Sequence, residues 1–499
     1  MSGILGIVNL EENDIDRLEF KEMLDTLKHR GPDDEKAYFT ENIALGYRKL
    51  ATVNLIDGNQ PISNEDETMR VVCDGIIFNF RSLRTELTCR GHKFKTNSDA
   101  EVVIHAYEEY GHQFLAHLNG IYSIAILDEK RRNILLARDR VGVRPLYFYF
   151  KNDILIFASE IKAIIKSNKI KKEPDYDSIN DYLIFQYCLG KRTLFKNINR
   201  VLPGYYLIWN YIRGKPCELK QYWDVEYHYD LNHTEEYFIE KLRFLLEDSV
   251  KLNLMSDVPL GTYLSGGIDS STTTCIAADL SPELKLKTFS GYYPEFEEYD
   301  ETKYAKVVTG HVKGENYAIP IDYRQFVENI SKIIYFMDEP QGGPGVFGQF
   351  IVAKEASKEI KVALSGEGGD EIFFGYAKSL IAYLEECING AIMETADTSK
   401  YAVTLESIIP NLPILKMYKS KLQYFWREGL FEPQDKRYFR LNTQLCKGDP
   451  LINWELFKDF DKPFKKFSSI LNSKNLSSYI NKMSYYDLKF PLQAVLHVD

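Results

Sequence analysis

Short runs of β-branched and aromatic residues recur along the first part of the chain, at 5–10, 70–78, 122–127, 133–137, 146–150 and 154–158. Several alternate with polar positions or end at turn signals such as Arg30-Gly31-Pro32-Asp33 and Asp57-Gly58-Asn59. This pattern predicts a layered antiparallel α+β sandwich over residues 1–210, with helices at 101–109 and 178–187. The polar, aromatic stretch 211–233 reads as a linker. A helix is predicted from Thr234, carrying Phe238, Leu242, Leu245 and Leu246 on one face. Beyond it the rhythm becomes strand, glycine turn, helix: 258–264 into 271–278, then 285–290, then 361–364. That alternation predicts an α/β domain over 234–499, built on a doubly wound parallel sheet. Residues 378–485 read as mostly helical, and no internal repeat or low-complexity tract interrupts the chain.

Two glycine loops stand where the parallel sheet would place chemistry. Ser265-Gly266-Gly267-Ile268-Asp269-Ser270-Ser271 directly follows an apolar strand and opens a helix. Two glycines permit a tight turn in which successive N–H groups point at a phosphate. The hydroxyls of Ser265, Ser270 and Ser271 and the helix N-terminus add donors and partial positive charge. The loop has no lysine, so it is not a Walker A motif and suits pyrophosphate as a leaving group. A plain Gly/Ser turn between strand and helix is the alternative. The second loop, Ser365-Gly366-Glu367-Gly368-Gly369-Asp370-Glu371, also follows an apolar strand. Both loops would then converge at the carboxyl ends of strands. Asp269 and Asp370 would face one polyphosphate, which requires Mg²⁺ between them. Asp370 and Glu371 also fit the plainer role of complementing a helix dipole.

Composition narrows this picture without redirecting it. The chain has 499 residues, 44% hydrophobic and 27% charged, and suggests two or three domains. Its net charge of −10 argues against nucleic acid as a partner, though not against a local ATP site. No run approaches the ~20 apolar residues of a membrane span, and no signal peptide is evident, so a cytoplasmic protein is expected. The seven cysteines are scattered and contain no CxxC, which argues against both a disulfide framework and a structural zinc site.

The segment 255–259 with its Ser-Gly-Gly loop, and 364–371 followed by Phe374-Gly375-Tyr376, resemble the glutamine-dependent asparagine synthetases. The resemblance extends to the first half through His29-Arg30-Gly31-Pro32-Asp33, Ser98-Asp99-x-Glu101, Arg138-Asp139-Arg140, Phe157-Ala158-Ser159-Glu160 and Leu202-Pro203-Gly204. It implies an N-terminal-nucleophile-hydrolase-like domain that releases ammonia from glutamine and an ATP-pyrophosphatase domain that makes β-aspartyl-AMP. Carried over, Asp269 and Asp370 hold Mg²⁺–pyrophosphate, and Ser265, Gly266, Gly267, Ser270, Ser271, Ser365 and Gly366 bind phosphates. Ser290 lies on the strand under the adenine, and Glu367 acts on the incoming amine or the acyl-adenylate.

The same resemblance marks the glutamine site as damaged. Ser2 stands where the family has a cysteine nucleophile. Lys49 replaces an arginine clamp and lacks its planar fork. Asp74 replaces an oxyanion-hole asparagine, where a carboxylate would repel the developing charge. Ile76 replaces a glutamate, whereas Gly75 and Asp99 are retained. Asp99 is expected to have become structural, and the 30–33 turn to hold the fold only. Ammonia, not glutamine, is therefore the expected nitrogen donor. The family's downstream Asp-Arg-x-Ser-Met and Glu-x-Arg-x-Pro-Phe segments and catalytic lysine are not among these 499 residues, which leaves open a fragment, a partner that supplies them, or loss of synthesis. Lys378 is expected to be a solvated surface residue that cannot substitute for that lysine. The readings left open are amidation of aspartate, amidation of another carboxylate such as a sugar acid, and a nucleotide-binding pseudoenzyme or half of a split synthetase. A homodimer, or a partner chain supplying the downstream segment, stays open with them.

Overall fold

In the computed structural model the strands Gly3–Asn9 and Gly120–Asp128 are buried along almost their whole length. Each lies inside a sheet covered on both faces, which is why its sequence reads as a continuous apolar run. The structure describes all residues except 11–13, 53–57, 213–217, 229, 231, 297–299, 342, 393–407, 428–431, 445–449, 458, 460, 474, 475, 477 and 497–499. Asp57 of the expected turn, Cys217, Cys446, Gly342 and the last three residues thus lie outside the described residues.

Two six-stranded antiparallel sheets make the first half. One runs in the order Ile198–Arg200, Tyr147–Lys151, Ile154–Ala158, Gly3–Asn9, Ile43–Lys49, Asp34–Phe39. The other runs Glu218–Gln221, Tyr205–Asn210, Asn133–Arg138, Gly120–Asp128, Met69–Ile77, Ile62–Ser63. Their facing sides share one core containing Ile4, Leu45, Phe157, Val72, Leu136 and Trp209. The helix Asp99–Tyr110 covers the outer face of the second sheet. Gly3 pairs with Arg48, so Ser2 emerges beside Lys49 at the sheet's end.

The second half is organised by a four-stranded parallel sheet in the order Glu315–Pro320, Lys287–Tyr292, Leu260–Tyr263, Val362–Leu364. The chain moves outward from Leu260–Tyr263 over two strands, then returns to its other side. That reversal opens a crevice at the carboxyl ends of two neighbouring strands. The strand Glu315–Pro320 was not among the predicted elements.

Three features depart from the sequence expectation. Within the stretch read as linker, Glu218–Gln221 pairs with Tyr205–Asn210 and extends the second sheet. The helix Glu235–Asn253, capped by the Thr234 side chain, leaves Phe238, Leu242 and Leu245 at least 40% exposed. Most of its apolar face is therefore open, and the helix joins a core only near its end, where Val250 packs with Leu260, Ala277 and Leu286. Ile184, Phe185, Tyr187 and Leu189 pack among Tyr438, Phe467, Met483 and Tyr486, so this part of the first half lies in the core of the C-terminal helices. Among the described residues no helix is long and apolar enough to cross a membrane.

Candidate functional site

The strand Leu260–Tyr263 delivers the first glycine loop, and Val362–Leu364, paired beside it, delivers the second. Gly266 turns the chain at φ +93°, a conformation that favours glycine. Ser265 Oγ accepts from Gly267 N at 3.2 Å and lies 3.0 Å from Ser270 Oγ, which bridges the turn. The helix Ile268–Leu280 begins here, with Asp269 in its first turn. Ser271 Oγ is buried and has no hydrogen-bond partner among the described residues. The second loop turns at Gly368, also at φ +93°, into the helix Gly369–Phe373.

The loops touch. A Cβ on Gly366 would lie 2.6 Å from Ser270 N, and one on Gly369 would lie 2.5 Å from Asp269 Cγ. Both glycines are thus required for the close approach. It brings Asp269 and Asp370 near enough that burial, and then the Asp269 charge, push the Asp370 carboxyl above the usual range. No salt bridge to either carboxylate occurs among the described residues. Two oxygen donors on adjoining loops, beside a half-formed phosphate cradle, fit a magnesium ion shared with a polyphosphate.

Glu367 is exposed on the rim, where its Oε1 accepts from Gln349 Nε2 at 3.1 Å. Ser365 Oγ accepts from Glu367 N at 3.3 Å and so shapes the loop. Ser290 is almost fully buried, and its hydroxyl donates to Leu264 O at 2.6 Å while Asn316 Nδ2 reaches it at 3.2 Å. The hydroxyl therefore braces the strand beneath the first loop. Glu371 is buried and accepts from Tyr376 OH at 2.6 Å. Lys378 is not the solvated residue expected from its helix position. Its Nζ lies 2.8 Å from Asp487 Oδ1, a buried carboxylate that also accepts from Tyr438 OH at 2.8 Å. The partners lie 109 residues away in sequence, so no local pattern could reveal them.

The pocket around Ser2 has a different character. Ser2 Oγ accepts from Tyr47 OH at 2.9 Å and from Leu50 N at 3.2 Å. Burial, then the charges of Arg144 and Arg30, pull the Met1 amine down to about 4. Lys49 Nζ donates to Asn59 Oδ1 at 3.2 Å. Asp99 Oδ2 accepts from Ile77 N at 2.9 Å, a structural bond across the end of a strand. Gly75, at φ +146°, allows the Ile121 carbonyl to approach where a Cβ would lie 2.0 Å away. Asp74 is 1% exposed, and its Oδ2 accepts from Arg30 Nη2 at 2.9 Å. Its other oxygen has no partner among the described residues.

Arg30 does more than hold a turn. Its Nε donates to Ser2 O at 2.8 Å and its Nη1 to Glu160 at 3.2 Å. Glu160 in turn contacts His29 at 2.9 Å and pairs closely with Lys162, whose Nζ lies 3.1 Å from Asp338. Asp338 also accepts from Ile161 N at 2.6 Å. A row of alternating buried charges, Asp74, Arg30, Glu160, Lys162, Asp338, thus runs from the Ser2 pocket into the second half of the chain. Each member is under 10% exposed at its side chain. The sequence motifs contained Arg30 and Glu160 but not their pairing.

Comparison with known proteins matches the two halves to two domain types. The glutamine amidotransferase domain model matches residues 1–223, and the asparagine synthase model matches residues 241–498. Asparagine synthetase [glutamine-hydrolyzing] 1 of Bacillus subtilis is 34% identical over 384 residues, 75% of this chain and 59% of its own length. The chain thus spans less than two thirds of that relative. Putative asparagine synthetase 2 of Methanocaldococcus jannaschii is 32% identical, covering 77% of each chain. Amidase chyE of Penicillium rubens is 31% identical over 72% of this chain and 55% of its own length. With an asparagine synthase match over half its length and both domain types in the expected order, the chain belongs to the asparagine synthetase family.

Proposed function

We propose that this chain amidates a carboxylate, with aspartate as the first candidate, at the expense of ATP and with ammonia as the nitrogen donor. The observation that carries the reading is the convergence of the two glycine loops, which sets Asp269 beside Asp370 without a cationic side chain between them. In this reading residues 1–210 are an inactive glutaminase-like domain, and 234–499 hold the synthetase chemistry. Asp269 and Asp370 would hold Mg²⁺, which when bound supplies charge neutralisation for the departing pyrophosphate. Ser265, Ser270, Ser271 and the N–H groups of Gly266 and Gly267 receive phosphate oxygens, with Ser365 and Gly366 closing the other side. The substrate carboxylate oxygen attacks the α-phosphorus, and pyrophosphate leaves. Ammonia then attacks the acyl carbon, AMP departs with the former carboxylate oxygen, and Glu367 accepts the surplus proton from nitrogen. Ser290 supports the first loop from beneath.

The Ser2 pocket supports the assignment to ammonia. Asp74 offers negative charge where an oxyanion would need donors, and Ser2 Oγ already accepts two hydrogen bonds. A relative named an amidase makes other carboxylates worth testing. The decisive assay is carboxylate-dependent AMP and pyrophosphate formation across a panel of acids, with ammonia and glutamine compared. Aspartate with ammonia is the expected best pair. A different best acid would replace the acceptor, and Mg·ATP binding without turnover on any acid would make the chain a nucleotide-binding pseudoenzyme.

A further inference from the structure

Four side chains with metal-binding chemistry meet at the edge of the first half, and none takes part in the sites described above. Glu65 follows the strand Ile62–Ser63, and His92 follows the helix Phe80–Cys89. His105 and Glu108 lie one turn apart on Asp99–Tyr110. One ligand atom from each falls within 4.8 Å of all the others. His105 Nδ1 lies 3.0 Å from Glu108 Oε2 and 3.7 Å from Glu65 Oε2, and His92 Nδ1 lies 3.6 Å from Glu108 Oε2. Ligand atoms on a tetrahedral zinc ion, bonded at about 2.0–2.1 Å, stand about 3.3 Å apart.

The surroundings orient each group toward the same point. Glu65 Oε1 accepts from Lys93 N at 2.8 Å, and Glu108 Oε1 accepts from Asn64 Nδ2 at 2.7 Å, so each carboxylate turns its other oxygen inward. Both histidines present Nδ1 to the cluster and Nε2 to a carboxylate outside it. For His92 that carboxylate is Glu109 at 3.3 Å, and for His105 it is Glu101 at 3.6 Å. His105 is fully buried, and its Nε2 makes no hydrogen bond among the described residues, Glu101 standing behind it at ion-pair distance. A carboxylate behind each imidazole selects the tautomer whose inner nitrogen carries a lone pair, the usual arrangement behind metal-bound histidine.

We propose that Glu65, His92, His105 and Glu108 form a tetrahedral site for a divalent transition ion of the zinc type. Two carboxylates and two neutral imidazoles balance its charge, and the half-exposed Glu65 leaves an entry path while His105 forms the floor. The bound ion ties two connecting segments to the central helix, which is a stabilising role. This revises the expectation against zinc drawn from the cysteines, because the donors here are imidazole and carboxylate at spacings of 27, 13 and 3 residues. In the ion's absence the same carboxylates satisfy a proton: burial pulls the His105 imidazolium down, but Glu101 and Glu108 outweigh it and raise it to about 9.

The test uses the full chain carrying Cys89→Ser, which removes the exposed thiol near the site. Metal-stripped protein is titrated with Zn²⁺ against a chromophoric chelator, and Co²⁺ is used to read coordination geometry. The expected result is one ion per chain, a raised thermal midpoint, and tetrahedral cobalt absorption. Glu65→Gln and His92→Ala should each abolish stoichiometric binding. Glu109→Gln, which removes no ligand, should weaken it about 10–100-fold. Binding should persist in Asp269→Asn/Asp370→Asn, which separates it from the magnesium site. If His92→Ala fails to fold, Glu65→Gln at the exposed position and Glu109→Gln still decide. Absence of stoichiometric binding, or binding unchanged by both glutamate variants, would overturn the proposal and leave a proton-bridged network of His and Glu.

Discussion

In the glycine loops two carboxylates, Asp269 and Asp370, face each other; in the pocket behind Ser2 the charges of Arg30, Asp74 and Glu160 are paired within the protein. Both regions occupy the place where their half of the fold would present chemistry. They differ in whether the protein's own charges are balanced. In the Ser2 pocket a buried guanidinium neutralises the Asp74 carboxylate through one oxygen, and the other oxygen has no partner among the described residues. A crevice with two like charges and a buried, unpartnered serine hydroxyl gains from a cation and a phosphate. The two regions thus differ in electrostatic balance, a difference that neither set of motifs discloses.

The largest expected effect comes from breaking the balanced pocket. Arg30→Met strands Asp74 as a buried carboxylate and leaves Glu160 to His29 and Lys162, and should cost about 3–5 kcal/mol of stability, read from urea denaturation midpoints. Adding Asp74→Asn should recover part of that loss. An Arg30→Met variant as stable as the parent would show that the row of charges carries no stability.

A second break uses pH. Burial raises the Glu160 carboxyl, but His29, Arg30 and Lys162 outweigh it and hold it at about 2. A depressed carboxylate contributes stability that is present above its ordinary value of 4.5 and is lost as pH falls toward about 2. The parent should lose stability steeply across that window. Glu160→Gln should be less stable at neutral pH and show a flatter acid limb. Equal acid slopes in the two proteins would remove Glu160 from the account.

The opposite behaviour is expected in the glycine loops. Asp269→Asn or Asp370→Asn should weaken Mg·ATP binding about tenfold or more, equivalent to about 1.4 kcal/mol, in calorimetric titration. Neither change should destabilise the magnesium-free protein, because each removes a repulsion. A destabilised variant with intact Mg·ATP affinity would reverse the roles assigned to these carboxylates.

The smallest expected effect is none. Ser2→Ala should leave glutamate release from glutamine at the parent's background, since Ser2 Oγ is engaged by Tyr47 and Leu50. Measurable turnover in the parent that disappears in the variant would show that the pocket still works.

The sequence by itself determined many of the strand runs in both halves, though not Ile43–Lys49, Tyr205–Asn210 or Glu315–Pro320, and it set both glycine loops directly after strands. Hydrophobic periodicity is local, and a phosphate cradle is built from consecutive residues. Through the family resemblance it also raised the expectation that Ser2, Lys49 and Asp74 do not suit glutamine chemistry, because each change is one of functional-group type. Only the tertiary structure decided where the charges end. Asp74 meets Arg30 across 44 residues, Lys378 meets Asp487 across 109, and Lys162 meets Phe336 and Asp338, at the end of a helix, across 174 and 176. Strand order, not spacing, brings Asp269 against the second loop, and the tertiary packing covers Val250 of Glu235–Asn253 while leaving Phe238, Leu242 and Leu245 exposed. The free energy of a charge or an apolar face depends on what packs against it, and that neighbour is set by sheet topology rather than by adjacent residues.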